Sequence, residues 1–275
     1  MYLKILLIGT CRIHEPICSI SKDKPQILNV ERIGESAQYY THSTLEIKQR
    51  ILYFQKDYHI EKSLATYQIG QYPEPKLVEA SSINDADVIL IEVPSRKTYQ
   101  YNGHLLQESR INTRLKNLNS ELLVDWREWA NARFKGVGGT DKFDTSNYFD
   151  SNKTTDHQII SNIVPHTYGI DETLNDIVEI YNMTNKKAIF VTHINGVDKR
   201  GNLLESRGEL IEKTLIHCKK NNIPCIDPTE IVMHLGQKVT MGKEGRDLNH
   251  YQHSALTEIG DWFWKQINFH LSNVE

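Results

Sequence analysis

No two cysteines of this chain stand in a C-x-x-C pair, although it has four: Cys11, Cys18, Cys218 and Cys225. That lack removes zinc-ribbon and thioredoxin-type readings. No G-x-G-x-x-G, G-x-x-x-x-G-K-[ST] or H-E-x-x-H occurs either, so dinucleotide, P-loop and zinc-protease classes have no motif to rest on. No apolar run approaches the roughly 18 residues of a membrane-spanning helix. The stretch Ile5–Ile8 follows a single Lys, is too short for a signal-peptide core and precedes no small-residue cleavage site. A signal-free chain with four thiols is expected in a reducing compartment, the cytoplasm. Charge of one sign is also missing: 32 basic and 35 acidic residues give a net charge of −3. There is thus no global attraction to nucleic acid or an anionic membrane, and neither is expected as a partner.

What is present suits a globular fold. The 275 residues are 39% hydrophobic and 24% charged, and a chain of this size buries roughly three quarters of its unfolded surface. Four short apolar runs, Leu3–Ile8, Asp87–Val93, Lys187–Thr192 and Ile223–Ile226, lack clean alternation. That is the pattern of parallel strands covered on both faces. Amphipathic helical patterns follow at Thr44–Gln55, Ile111–Phe134 (one helix or two), Glu172–Asn182, Leu204–Asn221 and Ser254–Leu271. The alternation predicts an α/β fold, a three-layer α/β/α sandwich with a mostly parallel central sheet, as one domain over 1–275.

Two segments fit this scheme less well. Lys135–His166 is polar and too long for an ordinary connection, which marks a lid, a substrate loop or an insertion. Tyr58–Ser82 carries Pro73 and Pro75, with a weak edge strand expected at Leu64–Ile69. No repeat or low-complexity tract is present.

Active sites of such sheets lie beyond the carboxyl ends of the strands, and Cys11, Ser95 and His193 each follow a predicted strand. Gly9 lets the backbone turn sharply before Cys11. Arg12 and the start of the next helix are expected to lower the thiol's pKa toward neutrality. The competing reading is a small buried thiol. Near the other end of the chain, Asp247 stands three residues before His250, where a carboxylate can hold the imidazole for general-base work. The competing reading there is a solvated Asp and a surface His. His253 extends the run to Asp-x-x-His-x-x-His, which offers a metal-dependent alternative, ranked lower because no further ligand pair has complementary spacing. His42 precedes a helix that Ser43 or Thr44 caps. His193 opens a turn on the rim and is a candidate substrate contact. His14, three residues from Cys11, either influences the thiol or points to solvent. Arg12, Arg96, Lys97 and Arg110 place positive charge near the rim, suited to a phosphate or carboxylate, or else form part of a solvated surface.

The strand ending in Gly9-Thr10-Cys11, together with Asp247-Leu248-Asn249-His250-Tyr251 before the last helix, resembles the SGNH/GDSL hydrolases, and in particular their GSCFA branch with Cys in the place of Ser. The resemblance implies an SGNH/flavodoxin-like sandwich and a Cys11–His250–Asp247 triad. The family's Gly-x-Asn-Asp block is absent. The Cys11 N–H is therefore the expected oxyanion donor, with Ser95 or Asn102 as a second. A Cys nucleophile implies a thioester that passes its acyl group to water or to a hydroxyl such as that of a saccharide. No cofactor is required, and a coenzyme A thioester is a candidate donor. The alternative is a catalytically silent module that binds a glycan or a protein.

Overall fold

The computed structural model describes residues 3–21, 27–30, 40–55, 57–69, 83–137, 142–149, 154–198 and 200–272. Its centre is a parallel sheet in the order β2 (Ile27–Val30), β1 (Leu3–Ile8), β3 (Val88–Val93), β7 (Ala188–Thr192) and β8 (Cys225–Ile226). The four apolar runs of the sequence supply β1, β3, β7 and β8, and the short β2 lies beside β1. Every residue of β3 and β7 is buried, which is why these strands read as continuous apolar runs.

Successive side chains of each strand leave on opposite faces. Leu6, Ile8, Ile89, Ile91 and Phe190 meet helices α2 (Thr44–Phe54), α7 (Ile170–Met183) and α8 (Glu205–Lys220) through Ile47, Ile51, Ile177, Ile180 and Cys218. Ile5, Leu7, Leu90, Ile189 and Val191 meet α1 (Cys11–Ile20), α9 (Thr229–Leu235) and the closing helix α11 (Leu256–Ser272). The result is the expected three-layer sandwich.

Between β3 and α7 the chain builds a second, antiparallel sheet, ordered β5 (His104–Leu106), β4 (Lys97–Tyr101), β6 (Val164–Thr167). Tyr99, Leu106, Ile111, Leu115 and Trp126 form its own apolar cluster with helices α4 (Glu108–Leu118), α5 (Ser120–Phe134) and α6 (Thr155–Asn162). The long pattern at 111–134 is thus two helices. They are divided at Asn119, whose side chain accepts the N–H groups of Glu121 (2.7 Å) and Leu122 (3.4 Å) as the cap of α5. The polar stretch 135–166 contributes α6 and most of β6, and its residues 138–141 and 150–153 lie outside the described ones.

One expectation is overturned. Leu64–Ile69 is not an edge strand, because Ala65–Gln68 forms the short helix α3. Its Leu64 and Tyr67 pack into the second cluster, and tertiary burial decides a segment whose local pattern is ambiguous. The remaining residues 70–82, with Pro73 and Pro75, lie outside the described residues.

Candidate active site at the carboxyl ends of β1 and β3

The chain passes from β1 outward to β2 and then returns to β3 on the other side of β1. That places the topological switch, where open α/β sheets bind their ligands, between the carboxyl ends of β1 and β3. Gly9 fits there because a Cβ on it would lie 2.6 Å from Glu92 Cβ and 2.8 Å from Ile13 Cδ1. Thr10 then caps α1, with its hydroxyl accepting the Arg12 N–H, so Cys11 is the first residue of the helix.

Glu92, a single carboxylate at the buried end of an otherwise apolar strand, organises this corner. Its Oε2 accepts the Thr10 N–H (2.8 Å) and the Thr10 hydroxyl (2.6 Å), while Oε1 takes Arg12 Nε at 2.5 Å. A buried charge with three donors, one of them a cation, meets the condition under which burial is tolerated. In the sequence Glu92 shows only as a charge inside an otherwise apolar strand.

The other end of the chain arrives on the same sheet face as α1, where Met241 and Tyr251 join its apolar cluster. Residues 243–245 form a tight turn in which Lys243 (φ 52°), Glu244 (φ 55°) and Gly245 (φ 84°) are all left-handed. At roughly 1–2 kcal/mol for each non-glycine residue, that turn is a strained delivery of the next segment. The segment is β9 (Asp247–Tyr251), with antiparallel bridges from Gly242 to Asp247 and from Met241 to Tyr251. Asp247 and His250 therefore stand on a short strand. His250 Nδ1 lies 3.0 Å from Asp247 Oδ2, and Oδ1 of the same carboxylate accepts the Asn249 N–H at 3.0 Å. Burial works to raise the pKa of Asp247, but the Asn249 N–H and His250 outweigh it and hold the carboxyl low. The His250 side chain is 58% exposed, so its ring edge faces outward.

Two arginines tie β9 to the sandwich. Arg12 Nη1 donates to Asn249 O at 3.3 Å, and Arg207, in the first turn of α8, donates to Leu248 O at 2.8 Å and to Asn249 Oδ1 at 2.6 Å. Helix α11 secures the same relation from below. A Cβ on Gly260 would fall 2.3 Å from the Pro16 carbonyl oxygen of α1, so only glycine allows this approach. The residue after Cys11 is in this way bonded to the residue before His250.

The thiol itself departs from expectation. Burial pushes Cys11 up to about 11; Glu15 and Glu92 add to the rise, and Arg12 alone among the nearby charges opposes it. The expected lowering toward neutrality is overturned, because loss of water at the half-buried sulfur outweighs Arg12. Cys11, Cys18, Cys218 and Cys225 are all free.

The remaining candidates are dispersed. His193 is buried after β7, with Nδ1 2.7 Å from Ile194 O. Burial, then Arg12 and Arg207, hold it well below the usual histidine range, so it is neutral. In the loop before α2, His42 donates its N–H to Glu46 at 2.9 Å; burial works to lower its pKa and the Glu46 carboxylate more than reverses this. Ser43 caps the helix there, its hydroxyl accepting the Glu46 N–H at 3.3 Å and lying 3.4 Å from the Glu46 carboxylate. His14 is buried with its ring edge-on to Tyr40 at 5.7 Å, and does not point to solvent. Ser95 Oγ accepts the Lys97 N–H at 2.9 Å, and Arg96 Nη1 donates to Tyr168 O at 3.2 Å. Lys97 lies over the Phe134 ring at 4.9 Å, and Arg110 Nε donates to Gln107 at 3.1 Å. Asn102 (φ 49°) and Gly103 (φ 83°) make the hairpin turn between β4 and β5, an Asn-Gly pair in its favoured place. Among the described residues no three His, Cys, Asp or Glu side chains group as a metal site, and no helix is long and apolar enough to cross a membrane. A cavity of about 480 Å³ opens beside β9, lined in part by Val197, Gln237, Lys238, Arg246 and Leu248.

Comparison with known proteins shows the chain's family. The Vi polysaccharide biosynthesis protein TviD of Salmonella typhi is 24% identical over 249 residues, which cover 89% of this chain and 29% of that protein. The chain thus spans less than a third of that relative's length. The family profile described as the TviD N-terminal domain matches residues 3–263, nearly the whole chain, and the chain belongs to that family.

Proposed function

We propose that this chain is an SGNH-like acyl enzyme in which Cys11 is the nucleophile, His250 the proton carrier and Asp247 the group that orients His250, acting on a saccharide. The observation that carries the reading is the 3.0 Å Asp247–His250 pair on a strand that Arg12, the neighbour of Cys11, holds by its backbone. With its thiol pushed up to about 11, Cys11 enters the reaction as S–H, as a serine would as O–H. Its sulfur bonds to the acyl carbon of an ester or thioester while His250 Nε2 takes the proton. The bond to the alcohol or thiol leaving group then breaks, and that group leaves with the proton from His250. A sugar hydroxyl, or water, attacks the resulting thioester and gives its proton to His250; the C–S bond breaks and His250 returns the proton to the sulfur, restoring the thiol. The Cys11 N–H, at the positive end of α1, serves as an oxyanion donor. The saccharide rests on what the TviD relative's name says of that protein, polysaccharide biosynthesis, and on the cavity beside β9.

The test is turnover of an acetyl thioester or aryl acetate, together with intact-mass detection of an acetylated Cys11. Cys11→Ala abolishes both, and His250→Ala or Asp247→Asn slows turnover by roughly 10²–10⁴-fold. Full turnover by Cys11→Ala defeats the reading. The second reading is a silent saccharide-binding module, which the raised pKa of Cys11 favours. Saccharide binding without any acylated protein, at any pH, selects it.

A further inference from the structure

Two guanidinium groups converge on Asn249: Arg12 Nη1 is 3.3 Å from its carbonyl oxygen and Arg207 Nη2 is 2.6 Å from its side-chain oxygen. Among the described residues only Arg12 of the two has a counter-charge. Arg12 is paired with Glu92, a carboxylate that Thr10 also occupies twice. The partners of Arg207 are Ile194 O (3.4 Å), Leu248 O (2.8 Å) and Asn249 Oδ1, none of which is charged. Among the described residues neither Arg207 Nε nor Arg12 Nη2 has a hydrogen-bond acceptor. The nearby Asp247 is engaged by His250 and the Asn249 N–H.

We infer that Arg207 and Arg12 form a seat for an anionic group of the substrate, a carboxylate or a phosphate, at the edge of β9 beside Cys11. A planar oxyanion matches the free edge of a guanidinium fork, and in a partly dewatered corner such a pair is charge-assisted on both sides. Burial, and after it the neighbouring Arg12, hold Arg207 down to about 10. The seat rests on the acyl-transfer reading only for its purpose. Its ligand carries the anion either on the acyl donor, as in the phosphates of coenzyme A, or on an acidic saccharide acceptor.

Calorimetric titration at fixed ionic strength separates these sources. Coenzyme A is the phosphate probe and glucuronic acid the carboxylate probe, with glucose as the uncharged reference. One charged probe is expected to bind wild-type protein more tightly than glucose does. Arg207→Gln should weaken that binding at least tenfold, Arg207→Lys less, and glucose titrations should not change. Should the Gln variant fail to fold, as judged by its melting transition, the Lys variant carries the test through the same selective loss. Wild-type protein that prefers neither charged probe overturns the inference, as does wild-type affinity in the folded variants. So does an equal loss for charged and uncharged probes, which is the signature of a merely structural arginine. Cys11→Ala should bind the charged probe normally, so failure of the covalent chemistry would be seen in turnover and not in these titrations.

Discussion

Glu92 and Arg12 form a 2.5 Å ion pair that fastens the end of the central strand β3 to the first turn of α1. Both side chains are at least nine-tenths buried, so neither charge can fall back on water when its partner is removed. Glu92→Ala is expected to cost about 3–5 kcal/mol in chemical denaturation. Glu92→Gln keeps the shape and one acceptor, and should cost less. A loss below about 1 kcal/mol for the alanine variant would mean that the pair does not organise the corner.

Cys11 should alkylate slowly at neutral pH. Thiolate is the reactive form, so the iodoacetamide rate should rise nearly tenfold per pH unit and level off only near 11. Arg12 is the nearby charge that favours the thiolate, and Arg12→Gln should move the plateau higher still. A plateau near pH 7 would contradict the burial of the sulfur.

His193 should give the protein an acid limb. Its folded pKa lies well below 6.5, so on acidification the unfolded chain binds a proton that the native state refuses. The stability this contributes is complete above pH 6.5 and falls as the pH drops below it. Denaturant titrations of His193→Gln at pH 7.5 and 5.5 should show a smaller difference than the wild type shows. An unchanged difference would place the acid sensitivity elsewhere.

Gly260→Ala sets a methyl group 2.3 Å from the Pro16 carbonyl oxygen, which is backbone and cannot swing aside. Separating α1 from α11 is expected to cost about 1–3 kcal/mol. Turnover should fall with it, because the same contact holds the Cys11 helix against the helix that follows β9. A variant with wild-type melting and wild-type turnover would show that the helices part without consequence.

Much of the sandwich was legible because its strands are short apolar runs and its helices carry single apolar stripes. The four runs supply the three inner strands and the edge strand β8, and the stripe of Ile259, Phe263 and Ile267 is the buried face of α11. The residues of the candidate site were legible only where a local pattern carried them, as with Asp247 and His250 three apart. Glu92 and Arg207 act through partners 80 and 41 positions away in sequence, and no periodicity encodes such pairs. Arg207 left one trace, a cation in the first turn of a helix, where the dipole disfavours it. Asn102-Gly103 carried a clear hairpin signal between two strand-like runs, and the structure uses it as a turn. The antiparallel sheet escaped because its β6 is a four-residue strand containing Pro165, with little propensity of its own.

The seating of Gly260 against Pro16 also sets an order in time. Cys11 leaves the ribosome before β9 and the helix that locks it. At 5–20 residues per second, the intervening stretch of about 240 residues takes roughly 10–50 s to make. For that interval the nascent chain has no β9 strand against Arg12 and no closing helix over the α1 face of the sheet. Whatever chemistry the mature corner performs begins only once α11 has emerged.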